Sequence, residues 1–438
     1  MLSNPVVVSV IVLVILSLLR IHVIFALLIA SIIGGLMAGL NVVDTVSLLI
    51  GGLGGQGETA LSYILLGVFA VMIARTGVIT FLIRRILPFI RGKRGVVLFA
   101  LAGLASLSQN VVPIHIAFIP ILIPPLLNVF DRMKVDRRAI ATALTFGLKA
   151  PYMLLPIGFG LIFQNIIVNE MATNGMEIEL SKIFLAMSLP VAGMLLGLII
   201  AVLVTYRKDR EYEQIETQFT SDIAEIEKQD KQPWEWKHFA TMIAIIITLV
   251  LQIVFESLVI ASLGGIFTMF ILRAEPWKSG DVVIEEGVKM MGAIAFVMLI
   301  ASGYATILTE TDSVTELVEA ASVWLGDSHL FASLMMMTVG LIVTMGIGTS
   351  FGTIPIIAAI FVPLCLAMGF SPLATAALIG SAGAIGDAGS PASDSTLGPT
   401  AGLNVDGQHH HIWDTCVPTF VHYNIPIFIF GVIAGVIL

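Results

Sequence analysis

Three ionisable side chains lie deep inside apolar stretches of this chain. Lys149 stands in Phe146-Gly147-Leu148-Lys149-Ala150-Pro151, with Pro156, Gly158 and Gly160 close behind. Asp387 and Asp394 stand in Gly386-Asp387-Ala388-Gly389-Ser390-Pro391-Ala392-Ser393-Asp394-Ser395-Thr396. A charge in hydrocarbon costs at least a few kcal/mol, so such groups mark pathways or paired sites. Both stretches also carry proline and glycine, and a proline removes a helix hydrogen bond and clashes with the preceding turn. The freed carbonyls suit cations and the freed amides suit anions. Asp394 supplies a charge, Asp387 a second carboxylate nearer the cytoplasmic end, and Ser390, Ser393, Ser395 and Thr396 supply hydroxyls. Such an oxygen set fits a hard cation such as Na⁺. A carboxylate that takes either Na⁺ or H⁺, but not both, can exchange one for the other. Lys149 has two functional readings: partner of an aspartate, released when a cation binds, or holder of a substrate carboxylate. The plain alternatives are a self-satisfied helix break and a lysine reaching toward the interface.

Two polar interruptions share this pattern. Ser108-Gln109-Asn110 precedes Pro113, which is good chemistry for ending one helix and opening the next. Gly346-Ile347-Gly348-Thr349-Ser350-Phe351-Gly352-Thr353 precedes Pro355 in the same way. Ser108, Gln109, Asn110, Ser350 and Thr353 are therefore candidates for substrate contact at two helical tips, with local capping as the plain reading. His115, just beyond the first tip, is a candidate proton relay or cargo contact, or an ordinary packed histidine.

The elements that must position these residues come in two copies. Leu28-Ile29-Ala30-Ser31-Ile32-Ile33-Gly34-Gly35 returns as Val259-Ile260-Ala261-Ser262-Leu263-Gly264-Gly265, Ser108…Pro113 as Ser350…Pro355, and Ala141-Thr142-Ala143-Leu144 as Ala374-Thr375-Ala376-Ala377. Each echo lies roughly 230–240 residues downstream. The chain of 438 residues is 57% hydrophobic and only 12% charged, with a mean hydropathy of +1.00, where soluble domains average about 25% charged residues. This predicts an all-α polytopic membrane protein built from two repeats, an arrangement that places cargo where the copies meet.

Spanning helices are expected over 5–19, 21–40, 59–77, 139–167 and 182–206, and again over 238–254, 256–273, 290–309, 372–398 and 415–437. The Gly-rich residues 43–58 read as lying at a membrane face. The bipartite pieces 95–130 and 329–368 read as re-entrant hairpins. The arm Val96 to Leu107 gives only about 18 Å of helix against a core of about 30 Å. Five crossings and one hairpin per unit put Arg84, Arg85, Arg91, Lys93, Arg94, Arg137, Arg138, Arg207, Lys208 and Arg210 on one side. Asp44, Glu58, Glu170, Glu177, Glu179, Glu256, Glu310 and Glu316 fall on the other. The basic side is then cytoplasmic. Five is odd, so the second unit enters inverted, and both termini face outward. The units are 1–206 and 238–438, joined by a charged cytoplasmic connector, 207–237.

Several chemistries are excluded. Cys365 and Cys416 are too far apart for a redox or zinc motif. His409-His410-His411 directs adjacent rings to different faces and lacks a second ligand set. No phosphate-binding or dinucleotide motif occurs, nor any nucleophile–base set, so an enzyme is not expected. Basic residues flank loops and give no nucleic-acid surface, and isolated polar sites do not make a channel. The net charge of −8 reflects where the acids sit. No cofactor is expected beyond a transported Na⁺ or H⁺, and the partners expected are the lipid bilayer and a small cargo.

The phrase Gly386-Asp387…Ser390-Pro391…Ser393-Asp394-Ser395-Thr396 resembles that of the NhaC-type sodium/proton antiporters, Gly-Asp-x-x-Ser-Pro-x-Ser-Asp-Thr-Thr, with Ser395 in place of the first threonine. Ser108-Gln109-Asn110 resembles the Ser-Asn-Thr hairpin tips of the wider ion-transporter superfamily, interrupted by Gln109. The resemblance implies a carrier of a bacterial inner membrane with paired hairpins, broken fifth helices and assembly in oligomers, a homodimer among them. It extends to amino-acid permeases of the same layout. Lys149 and the amide-bearing tip would then hold an α-carboxylate and Asp394 an amino group. Cation exchange by alternating access ranks first and ion-coupled amino-acid transport second.

Overall fold

The computed structural model describes residues 3–19, 21–78, 94–110, 118–213, 235–255, 257–326, 328–391 and 393–438. All regular structure among them is helical. The first half comprises α1 (Pro5–Leu18), α2 (Val23–Met37), α3 (Val42–Gly52), α4 (Gly57–Thr76), α5 (Arg94–Asn110), α6 (Phe118–Arg132), α7 (Arg137–Leu154), α8 (Phe159–Thr173) and α9 (Leu180–Ile200). The second comprises α10 (Trp236–Phe255), α11 (Leu258–Ile271), α12 (Gly280–Glu310), α13 (Ser313–Leu325), α14 (His329–Ile347), α15 (Ser350–Met368), α16 (Pro372–Ile385), α17 (Asp394–Leu403) and α18 (His411–Ile437). Seven helices among the described residues are long and apolar enough to cross a membrane, or eight with the bent pair α7–α8 taken as one span. The chain is an all-α polytopic membrane protein.

Contacts recur in matched pairs. α1 packs on α2 as α10 packs on α11, and α4 packs on α11 as α12 packs on α2. α5 packs on α7 as α14 packs on α16, and α6 meets α17 as α15 meets α8. α9 touches both α7 and α16, and so does α18. Small residues set these spacings. A Cβ on Gly147 of α7 would stand 2.3 Å from the carbonyl oxygen of Ala102 in α5, so only glycine allows that crossing.

Both expected helix breaks are present. α7 and α8 meet at 47° across residues 155–158. Gly158 takes φ +58° and donates its N–H to Gln252 Oε1 at 3.3 Å, while Gln164 Nε2 donates to the freed Met153 carbonyl at 3.4 Å. α16 stops at Ile385, and α17 restarts at Asp394 with Ser393 as its N-cap. With 14 residues before this break and 10 after it, the gap lies about 21 Å from one end of the element and about 15 Å from the other.

Several boundaries differ from expectation. Residues 43–58 are helical: Asn41 caps α3, accepting Asp44 N–H at 2.9 Å, and α3 packs on α12. α12 reaches ten residues further back than 290, to Gly280. The acidic segment after Thr311 forms α13. α5 has 17 residues rather than 12, and α14 and α15 have 19 each. α14 and α15 are joined by Gly348-Thr349 alone. The tip 111–117, with His115, and the side chains of Ser108, Gln109 and Asn110 lie outside the described residues, as does most of the connector, 214–234.

Candidate functional site

The two breaks meet through one ion pair. Asp387, in the gap between α16 and α17, is 2% exposed, and Lys149, one turn before the break in α7, is 7% exposed. The ammonium of Lys149 donates to Asp387 Oδ2. The same oxygen accepts the backbone N–H of Ser350 at 3.0 Å and its hydroxyl at 2.6 Å. Oδ1 accepts the hydroxyl of Ser393. One carboxylate thus ties together the broken elements of both halves and the first residue of α15. Removing a charge so deep costs several kcal/mol unless it is paired and its remaining lone pairs are met; here both conditions hold.

The hydroxyls divide into two groups. Ser393 and Ser395 face the carboxylate: their Oγ atoms lie 2.8 Å apart, and Ser395 donates to the Asp387 carbonyl at 3.0 Å. Ser390 and Thr396 hold the gap in shape. Ser390 donates to the Met345 carbonyl at 3.3 Å, and Thr396 to the Ser390 and Ser393 carbonyls at 2.5 and 2.8 Å. Thr353 donates back to Thr349 O at 2.8 Å, one turn earlier. Asp394 is half-buried in the first turn of α17, where the helix dipole favours an anion. Gly386 is required sterically, because a Cβ there would stand 2.4 Å from the Met345 nitrogen.

An aromatic layer covers one side of the pair. Tyr152 shares a 2.7 Å hydrogen bond with Ser350 Oγ. Phe351 packs against Tyr63, Tyr152, Phe159 and Phe163, with ring centroids 5.2–6.5 Å apart. These residues were not candidates in the sequence, since aromatic residues in apolar helices read as core. Buried polar atoms without partners surround the breaks: the Tyr63 hydroxyl, Gln164 Oε1, Gln252 Nε2 and both amide atoms of Asn424. A Cβ on Gly389 would come within 3.0 Å of Asn424 Nδ2, which puts this amide against the 386–393 gap. The signal for them was there: an isolated amide within an apolar run, as with Gln252 in Leu249-Val250-Leu251-Gln252-Ile253.

At the basic end, Arg137 is fully buried. It pairs with Asp131 at 2.9 Å and Asp406 at 2.6 Å, and donates to Leu403 O at 3.0 Å. Tyr212 covers its guanidinium at 4.2 Å. Burial raises the Asp406 pKa, but the bonds from Arg137 outweigh it and hold the group below its ordinary value. Arg94 donates to the carbonyls of Tyr206, Arg207 and Lys208, which seats the start of the connector. The three consecutive histidines go separate ways: His409 to Thr415, His410 to the N–H groups of Ile412 and Trp413, and His411 to Thr400 and Pro391 O.

A family model described as "Na+/H+ antiporter family" matches residues 143–436, which include both breaks, and a second, "Na+-H+ antiporter family", matches residues 4–90. The chain belongs to the Na⁺/H⁺ antiporter family. An uncharacterized membrane protein of Vibrio parahaemolyticus is 48% identical to it, covering 99% of this chain and all of that one. A Bacillus subtilis protein named "Putative amino acid transporter YuiF" is 45% identical, again over 99% and 100%. The fold resembles two solved structures. One is Neisseria gonorrhoeae MtrF, described within a class of antimetabolite efflux pumps, at TM-score 0.63, 14% identity and coverage of 89% and 84%. The other is the Alcanivorax borkumensis YdaH transporter, at TM-score 0.59, 16% identity and coverage of 89% and 86%. This member of the antiporter family is thus an integral membrane protein with bacterial relatives and a secondary transporter, not an enzyme.

Proposed function

We propose that this antiporter-family member exchanges Na⁺ for H⁺ by alternating access and that Asp387 is the exchanging carboxylate. The observation that carries this reading is the Lys149–Asp387 pair. An internal ammonium sits where a transported cation would sit, so a cation reaching Asp387 must displace Lys149. The oxygens around it, from Ser350, Ser393 and Ser395, suit a hard monovalent cation. Asp394, at the start of α17, is the second carboxylate on that route.

The halves are read as inverted repeats of five spans and one hairpin each, with 207–237 on the cytoplasmic side of a bacterial inner membrane. The matched contact pairs support this. The offset from Ala141 to Ala374 is 374 − 141 = 233 residues. It sets Lys149 against Ala382 (149 + 233 = 382) and Asp387 against Leu154 (387 − 233 = 154). Each half thus contributes one charge that the other lacks, so rocking one half on the other separates or joins the pair.

The second reading, ion-coupled amino-acid transport, is favoured by the name given to YuiF. Lys149 would then take the cargo's carboxylate when it leaves Asp387. Proteoliposomes under an imposed Na⁺ gradient decide between them. The first reading requires Na⁺-dependent proton flux without organic solute and its loss in Asp387→Asn. Flux appearing only with an added amino acid replaces it with the second.

A further inference from the structure

A polar pocket lies at the far end of α8, remote from the ion pair. It encloses about 260 Å³. Gln56, Glu170, Ser302 and Thr306 line it, beside the backbone of Gly51 and Gly52. Glu170 is 8% exposed and Gln56 2%. Gln56 Nε2 donates to Glu170 Oε1 at 2.7 Å. The other end of that amide, Oε1, is buried and accepts no hydrogen bond. No described Lys, Arg or His forms an ion pair with Glu170. The pocket floor therefore holds a carboxylate without a basic partner and a carbonyl-type oxygen without a donor, side by side.

The backbone adds to the same charge preference. α8 ends at Thr173, so the negative end of its dipole lies at the pocket, while α3 runs on through Leu53–Gln56 into α4, whose N-cap is Gln56. Glycine is needed for this approach: a Cβ on Gly52 would lie 2.3 Å from Thr306 Oγ1, and one on Gly55 would lie 2.6 Å from Ser302 Oγ. Ser302 donates to Gly52 O at 2.8 Å and fixes the turn.

The pocket is distinct from the Asp387 centre. Glu170 lies 170 − 159 = 11 residues beyond Phe159 on α8, or about 16 Å along the helix. Ala359 of α15 lines the pocket, eight residues after Phe351 (359 − 351 = 8). On both helices the Phe159–Phe163–Phe351 layer stands between the two sites.

We propose that Gln56 and Glu170 form a second binding site for a small monovalent inorganic cation, separate from the exchanging carboxylate. The electron-pair donors are oxygens, and the Glu170 carboxylate together with the α8 C-terminus supplies negative charge, which selects a hard cation over an anion or a soft metal.

The test is calorimetric titration of the purified full-length protein in nanodiscs with NaCl, with ionic strength held by choline chloride. In Asp387→Asn protein, one Na⁺-binding event should persist, and adding Glu170→Gln should weaken it at least about tenfold, a loss of about 1.4 kcal/mol. Glu170→Asp, which keeps the charge, should bind with intermediate affinity, and Gln56→Met should weaken binding. No Na⁺ binding in Asp387→Asn, or an isotherm unmoved by Glu170→Gln, overturns the proposal. Heat with methylammonium but not Na⁺ overturns the inorganic-cation assignment. Failure of the exchange reading looks different: wild type and Asp387→Asn then give the same isotherm, with Glu170→Gln abolishing it in both.

Discussion

Replacing Asp387 with asparagine keeps the side chain's shape and removes the charge that Lys149 faces. The ammonium is 7% exposed and its ion pair is with Asp387, so losing that carboxylate leaves it a poorly compensated buried charge. Breaking a buried pair from one side costs about 3–5 kcal/mol. Lys149→Met leaves the carboxylate unpaired, but the Ser350 N–H, the Ser350 hydroxyl and the Ser393 hydroxyl still serve it; the cost should sit at the lower end, about 3 kcal/mol. Replacing both removes the mismatch, since the amide oxygen can still accept from Ser350, the amide NH2 can donate to the Ser393 hydroxyl, and methionine fills the lysine's volume. The double variant should then lose at most about 2 kcal/mol, far less than the sum of the singles, which marks direct coupling. Thermal unfolding of the four proteins in one detergent reads this cycle. Transport should be absent from all three variants, which separates the fold from the function. A further readout isolates the displacement step. Lys149→Met has no internal ammonium competing for Asp387, so Na⁺ should stabilise it more than it stabilises wild type; a site at 100 times its Kd contributes about 2.7 kcal/mol. Additive losses, or equal Na⁺ stabilisation of the two proteins, would refute the idea that Lys149 stands in for the cation.

Gly386→Ala should lower the melting temperature and slow transport, because its Cβ would press on the Met345 nitrogen of α14; an unchanged protein would mean the gap opens freely. Arg137→Met should destabilise by about 3–5 kcal/mol by stranding Asp131 and Asp406, and Asp131→Asn combined with Asp406→Asn should restore part of the loss, read from unfolding midpoints. Burial drops the His409 pKa from 6.5 to about 4, so the folded protein keeps this ring neutral while the unfolded chain takes up a proton. Stability should therefore fall as pH drops from 6.5 toward 4, by about 3 kcal/mol in all, and then level off for this group. His409→Gln should flatten that slope, and an unchanged pH profile would remove His409 as its source.

What could be read from the sequence were the places where a local rule is broken. Lys149, Asp387 and the two Pro/Gly interruptions violate the apolar helix pattern at one position each, and a single strand of text suffices to find them. That Lys149 pairs with an aspartate was one of its two readings, but which aspartate could not be read, because the two charges are 238 residues apart and only the packing of α7 against α16 and α18 joins them. Ser350 was legible as a helix start, but its N–H reaching Asp387 depends on how α15 meets the gap. Arg137 shows the opposite error. It lies among loop-flanking bases, where the expected state is solvated, yet two carboxylates and the Tyr212 ring bury it. The Gly-rich residues 43–58 were read only as lying at a membrane face, since glycine has low helix propensity. In a membrane bundle the same residues permit backbone contact, and α3 uses that to lie against α12.

Satisfied and unsatisfied polar groups are distributed unevenly between the ion pair and the two breaks. The network around Asp387 is saturated, four donors on two oxygens, so this conformation is held at its centre by internal partners. The amides of Gln164, Gln252 and Asn424 beside the breaks each retain a buried atom without a partner. Leaving such an atom unmet costs about 1–3 kcal/mol, so these amides are the groups beside the breaks with hydrogen-bonding capacity to spare. In the proposed exchange, these amides would take new partners once Lys149 leaves Asp387 and the breaks shift. A transported cation can favour that arrangement only through its differential affinity for the two states. Under the proposed exchange, Asp387 would provide that difference, covered by Lys149 in one state and open to a cation in the other.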